Sequence, residues 1–82
     1  MLTWMIDPKS NGRRWTARAL EGLLVFTVEM QRRSAWSATV DGAMRHGIAK
    51  PGALFWDGPE EAQDGCEARL RELVRLVPGV TP

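Results

Sequence analysis

Residues 15–20 and 23–30 alternate apolar and polar side chains in opposite phase about Glu21-Gly22. Pairing Leu20 with Leu23 sets Trp15 against Val28, Ala17 against Phe26 and Ala19 against Leu24 on one face. The other face then carries Arg14 opposite Glu29, Thr16 opposite Thr27 and Arg18 opposite Val25. A one-residue slip would turn every apolar side chain to the wrong side, because strand side chains alternate with a period of two. The pattern therefore predicts a hairpin of fixed register, with one dry face and one decorated, partly basic face.

The neighbouring segments extend this sheet. Leu2, Trp4 and Ile6 alternate with Thr3 and Met5, which predicts a short first strand. Asp7-Pro8-Lys9-Ser10-Asn11-Gly12 follows as a turn, since Pro fixes φ and Asn-Gly tolerates positive φ. The second strand is expected over residues 13–20 and the third over 23–30, leaving Gln31-Arg32-Arg33-Ser34 as a polar, basic loop. Residues 35–40 place Trp36, Ala38 and Val40 on the dry face, with Ser37, Thr39 and Asp41 opposite. Setting Val28 against Ala38 then lines up Thr16, Thr27 and Thr39 across the outer face, a favourable cross-strand row. Residues 42–52 read as a long loop bearing Met44, Arg45, His46, Ile48 and Lys50. Ala53-Leu54-Phe55-Trp56 reads as a last short strand or an extended approach to a helix.

Asp57-Gly58-Pro59-Glu60 starts that helix. Asp57 or Gly58 can cap it, Pro59 suits its first turn, and Glu60, Glu61 and Asp64 complement its positive end. The stripe Ala62, Cys66, Leu70, Leu73 and Val77 recurs at steps of three and four, and Pro78-Gly79 stops the helix, which is expected over residues 59–77. Glu67 and Arg71 form an i,i+4 pair on its exposed side. Gly65 lies inside the helix, where close approach to the sheet would explain it.

The predicted fold is α+β: a four- or five-stranded antiparallel meander over residues 2–56, packed by one C-terminal helix in a single domain, residues 1–82. Its outer sheet face has no second helix to cover it, so Leu23 and Val25 are expected to be exposed there. No apolar run approaches the roughly 20 residues of a membrane helix, and the opening residues lack the basic leader of a signal peptide. A single cysteine cannot make an internal disulfide, which fits a reducing, cytoplasmic setting. Nine Arg against two Lys, with frequent Ala and Gly, suggests a GC-rich bacterial or phage genome.

The net charge of +1 conceals an asymmetry. Residues 1–50 carry eight Lys or Arg against four acids, and residues 51–82 carry three against six. The sheet half is basic and the helix half acidic. Dedicated nucleic-acid binders usually have a domain pI above about 9, whereas this chain is near 8.0.

Catalytic and metal chemistry find little support in the residue pattern. His46, the single histidine, has no Ser or Cys at a spacing that suggests a nucleophile–base pair. Cys66 lies on the apolar stripe beside Glu67, where a thiol is a small hydrophobe. Glu60 and Asp64 share a helix face without a histidine, so the helix dipole accounts for them. Gly42 and Gly47 have the gap of a phosphate loop, but Ile48-Ala49 stands where Lys-Ser/Thr is needed. No cofactor and no metal is expected.

Binding remains. Arg14, Arg18, Leu23, Val25, Thr27 and Thr39 form the candidate contact set of the sheet face. Arg32, Arg33, Arg45, His46 and Lys50 form a second set in the loops. Trp15 and Trp36 fall on the dry phase and are core rings, not platforms for stacked bases.

Two resemblances join these readings. Trp36-Ser37-Ala38-Thr39-Val40, then Gly42, Phe55 and Pro59-Glu60-Glu61-Ala62, resembles the sheet-plus-helix DNA-binding domains of the AP2 and phage-integrase amino-terminal type. That resemblance implies Arg14, Arg18, Thr27 and Thr39 as DNA contacts, although the strands here are less basic and one more strand precedes them. The Trp-rich meander with a helix opening Glu-Glu-Ala is also similar to small phage-encoded proteins, some of which inhibit bacterial defence complexes. The expected function is a non-catalytic binding protein of phage or mobile-element origin that docks on a protein partner such as a nucleic-acid-handling or defence complex. The alternatives are a weak DNA- or RNA-binding module using the basic face and a homodimer closed over that face.

Overall fold

The period-two alternation is realised as a five-stranded antiparallel sheet in the computed structural model, which describes residues 2–76. The strands are β1 (Met5–Ile6), β2 (Arg14–Ala19), β3 (Leu24–Arg32), β4 (Ala35–Asp41) and β5 (Arg45–Gly47), in spatial order of sequence, followed by helix α1 (Pro59–Leu76). The β2–β3 ladder has the predicted register throughout, from Arg14 opposite Glu29 to Ala19 opposite Leu24. Thr27 pairs with Thr39 and Val28 with Ala38, so β4 is also in its predicted place.

Differences from expectation lie at the ends of elements. The ladder stops at Ala19 and Leu24, one pair short, because Leu20, Glu21 and Gly22 all turn left-handed at φ 53°, 57° and 87°. Gly22 N–H donates to Ala19 O and Leu23 N–H to Leu20 O, giving two overlapping turns of the hand that suits a twisted hairpin. The first strand is only two residues long. Residues 2–4 leave the line of β2, because Leu2 enters the core and its N–H donates to Glu67 Oε1 of α1 at 3.0 Å. Glu67 is thus drawn to the N-terminal segment instead of Arg71, while elsewhere on α1 Arg69 pairs with Glu72.

β3 runs two residues further than expected. Arg32 closes the strand opposite Ala35, with a bulge at Gln31, whose side chain donates to Ser37 Oγ. The expected loop over residues 42–52 contains β5, and of residues 53–56, expected as a short strand or an extended approach to the helix, only Trp56 pairs with the sheet. Trp56 pairs with Trp36 on the same side of β4 that receives β5 and Ile48, so residues 49–55 are an excursion from one interrupted edge.

The core lies between the sheet's dry face and α1. Phe26 and Val28 from β3 meet Ala38 and Val40 from β4, and Ala62 and Cys66 from α1 close over them. Trp36 and Trp56 are buried, while Trp4 and Trp15 pack half-buried against the same cluster. Fully burying a side chain such as Phe26 or Val28 contributes about 1.5–3 kcal/mol. Of the helix stripe, Leu70 and Leu73 are half-buried; Val77 and the Pro78-Gly79 stop lie outside the described residues. Gly58 caps α1, its C=O accepting from Ala62 N–H at 3.1 Å.

Candidate functional site

Extending the ladders across all five strands resolves the outer face into three rows. Arg14, Glu29 and Ser37 form one; Met5, Thr16, Thr27, Thr39 and Gly47 form the second; Arg18, Val25, Asp41 and Arg45 form the third. Arg14 Nε lies 3.8 Å from a Glu29 carboxylate oxygen, and Arg45 Nε lies 4.0 Å from Asp41. Arg18 has no ion-pair partner among the described residues. The face therefore pairs most of its charge internally and leaves one guanidinium open.

Its apolar content is uneven. Leu23 is 74% exposed and Met5 69%, so both stand clear of the sheet. Val25 is half-buried between Arg18 and Asp41, less open than the sequence suggests. Thr27 is buried: it sits mid-sheet with a strand on each side, and the flanking rows carry longer side chains. Thr39 is half-buried, and its Oγ1 is enclosed with no hydrogen-bond partner. The Thr row is thus a floor, and the accessible contact groups are Met5, Arg14, Arg18 and Leu23. Beside it, where residues 2–4 leave β2, a shallow cleft of about 640 Å³ runs past Thr3, Met5, Thr16 and Arg18.

The five loop residues grouped by the sequence do not act as one cluster. Arg32 lies over the Phe55 ring at 5.7 Å, a cation–π contact that ties the end of β3 to the 49–55 excursion. Arg33 is exposed in that turn. Arg45 and His46 are adjacent on β5 and so point to opposite faces, Arg45 outward and His46 towards the α1 side. Lys50 is committed elsewhere: its Nζ lies 3.0 Å from Asp57 and also contacts Glu61. Those hydrogen bonds, to Glu61 first and then Asp57, raise the Lys50 pKa above its ordinary value. It is a structural clamp on the helix start.

With the Arg32–Phe55 contact, that clamp is one of four devices that hold the excursion. The Trp56 indole N–H donates to Ile48 O at 2.9 Å across its neck. Lys50 O accepts from Ala53 N–H over Pro51-Gly52, with Gly52 at φ 77°, a turn in which Gly supplies the positive angle. Leu54, near its tip, is 90% exposed.

Cys66 is fully buried, and burial, aided by Glu67, pushes its thiol up to about 12. The thiol is therefore protonated near neutrality and is a poor nucleophile. No group of three or more His, Cys, Asp and Glu side chains among the described residues could hold a metal ion. No described helix is long and apolar enough to cross a membrane. Comparison with known protein families, curated proteins and solved structures finds no match for this chain.

Proposed function

We propose that this chain is a non-catalytic protein-binding module that docks through the outer face of its sheet. The observation carrying this reading is an uncovered face whose charges are already paired, Arg14 with Glu29 and Arg45 with Asp41. A surface built to track phosphates leaves its cations free, whereas a protein interface combines apolar contact with a few steering charges. Met5 and Leu23 supply the apolar area and Arg18 the open charge, so the partner presents a carboxylate opposite Arg18. A nucleic-acid-handling or defence complex is the partner class we propose, resting only on the resemblance of the Trp-rich meander and the Glu60-Glu61-Ala62 helix opening to small phage-encoded proteins.

Affinity capture from bacterial extract tests this, using the wild type, Arg18→Glu and Lys9→Glu, which lies in the turn between β1 and β2. A protein retained by the wild type and Lys9→Glu but lost by Arg18→Glu, and rebinding when purified, is the expected result. Equal retention by all three removes the outer face. A dimer in light scattering that Val25→Glu dissociates would replace this reading with a structural homodimer.

A further inference from the structure

Two linked turns connect β1 to β2. Ser10 N–H donates to Asp7 O at 3.1 Å, and Arg13 N–H donates to Ser10 O at 3.2 Å. The second turn has Asn11 and Gly12 at its centre, with φ of 55° and 77°. Positive φ at both central residues makes it a type I′ turn, for which Asn-Gly is a favoured pair. Asn11 is the one asparagine of the chain, and it is exposed, as are Gly12 and Arg13.

Among the described residues, neither the Asn11 side-chain amide nor the Gly12 N–H makes a hydrogen bond. Gly12 also has no side chain to shield its nitrogen. An electrophilic carbon, Asn11 Cγ, and a nucleophile in waiting, the Gly12 nitrogen, are thus neighbours in the chain and both unengaged. The folded turn keeps them apart. A type I′ turn sets ψ of its first central residue at about +30°, which turns the Gly12 nitrogen away from Asn11 Cβ. Closing a ring between them requires that nitrogen to eclipse Cβ, so the turn must open first. Little holds it shut. β1 and β2 share two residue pairs, Met5 with Thr16 and Ile6 with Trp15. Beyond them Ser10 Oγ is the main tie, donating to Asp7 O at 2.7 Å and accepting from Arg14 N–H at 3.1 Å.

We propose that Asn11 is a site of spontaneous deamidation, gated by opening of the β1–β2 turn, and that the isoaspartate it forms releases β1 from the sheet. In the opened turn the Gly12 nitrogen loses its proton and bonds to Asn11 Cγ. The side-chain nitrogen takes up a proton and leaves as ammonia. Water then opens the resulting succinimide at either carbonyl, giving aspartate or isoaspartate. Isoaspartate carries the main chain through Cβ and is one carbon longer, so Arg13 N–H no longer meets Ser10 O in the same turn. The new carboxylate also lowers the net charge of +1 by one. With β1 released, Met5 leaves the outer face, so the reaction is a timer on that surface whatever docks there.

Ageing the purified full-length chain at neutral pH and physiological temperature, with peptide mapping at intervals, tests this. The mass gain of an amide becoming an acid reports Asn11. Asp41-Gly42, Asp57-Gly58 and Asp64-Gly65 close the same kind of ring by losing water and regain that mass on hydrolysis. Residue 11 is expected to convert at least about tenfold more slowly in the folded chain than in concentrated guanidinium chloride, an opening free energy of about 1.4 kcal/mol or more. Ser10→Ala is expected to speed the folded reaction about threefold through its lost hydrogen bonds, with Cys66 still protected from alkylation as the sign of an intact core. In the isoaspartate product the Asp7 amide, which donates to Arg14 O at 3.0 Å, is expected to exchange hydrogen faster than in the fresh chain. Equal rates in buffer and denaturant remove the gate, and aspartate without isoaspartate removes the ring; either overturns the proposal. So does a folded chain unmodified at residue 11 after many denatured half-lives, an unaltered rate in folded Ser10→Ala, or an Asp7 amide that exchanges alike in product and fresh chain. The wild-type comparison decides the gate even where the variant loses its core.

Discussion

Cys66 shows how one side chain can register the state of the whole core. Its Sγ is enclosed beneath α1, and burial pushes the thiol from 9.0 up to about 12. In the unfolded chain the thiol ionises at its ordinary value, so the unfolded state loses its proton first as pH rises. The stabilising contribution is therefore intact below about pH 9 and is lost progressively towards pH 12. Lys50, also raised, loses its contribution above 10.5 in the same alkaline direction. Cys66→Ala removes the first dependence and leaves the second. Denaturant midpoints measured from pH 8 to 11 are expected to fall more steeply for the wild type than for Cys66→Ala, with the curves diverging from about pH 9. Parallel curves would show that the thiol is not the source.

At the scale of elements, the helix and the interrupted edge meet at the Lys50–Glu61 pair and, most tightly, where Trp56 lies on Gly65. A Cβ built on Gly65 would lie 2.5 Å from two carbons of the Trp56 ring, so glycine is needed where the indole lies against α1. Gly65→Ala gains up to about 1 kcal/mol of helix propensity, but overpacking a buried ring costs about 1–3 kcal/mol. The steric term outweighs it, and urea unfolding is expected to show a net loss of up to about 2 kcal/mol. A gain would mean that Trp56 shifts freely. The sequence signals a close approach at Gly65 but not its partner, which lies in the irregular segment before the helix. The same division holds elsewhere. The β2–β3–β4 register is legible because Trp15, Ala17, Phe26, Val28, Ala38 and Val40 must share one face. The strand Arg45-His46-Gly47 is not, since all its residues are exposed and no apolar alternation marks it. Lys50's two acids and Glu67's bond to Leu2 depend on tertiary return of the chain, which local periodicity does not encode. Of the candidate contacts, the outward position of Arg14 and Arg18 is legible, while the burial of Thr27 depends on strands flanking it on both sides.

The whole molecule separates charge by element, with eight cations against four acids in residues 1–50 and three against six in residues 51–82. Such a dipolar chain can meet DNA at low ionic strength, so salt dependence is the discriminating quantity. Each phosphate neutralised contributes a slope of about −0.9 in log affinity against log salt, and proteins making about 6–10 such contacts have steep slopes. On the outer face Arg14 and Arg45 each lie near a carboxylate, leaving Arg18 open. One or two phosphate contacts give a slope no steeper than about −2. Anisotropy of a short mixed-sequence duplex between low and moderate salt is expected to show weak binding with that shallow slope, unchanged by the duplex sequence. A slope steeper than about −5 would require Arg13, Arg32 and Arg33 to join Arg18 on the backbone, breaking the internal pairs of Arg14 and Arg45 as well. That outcome would transfer the outer face from a protein partner to nucleic acid, because apolar contact at Met5 and Leu23 carries no such dependence on salt.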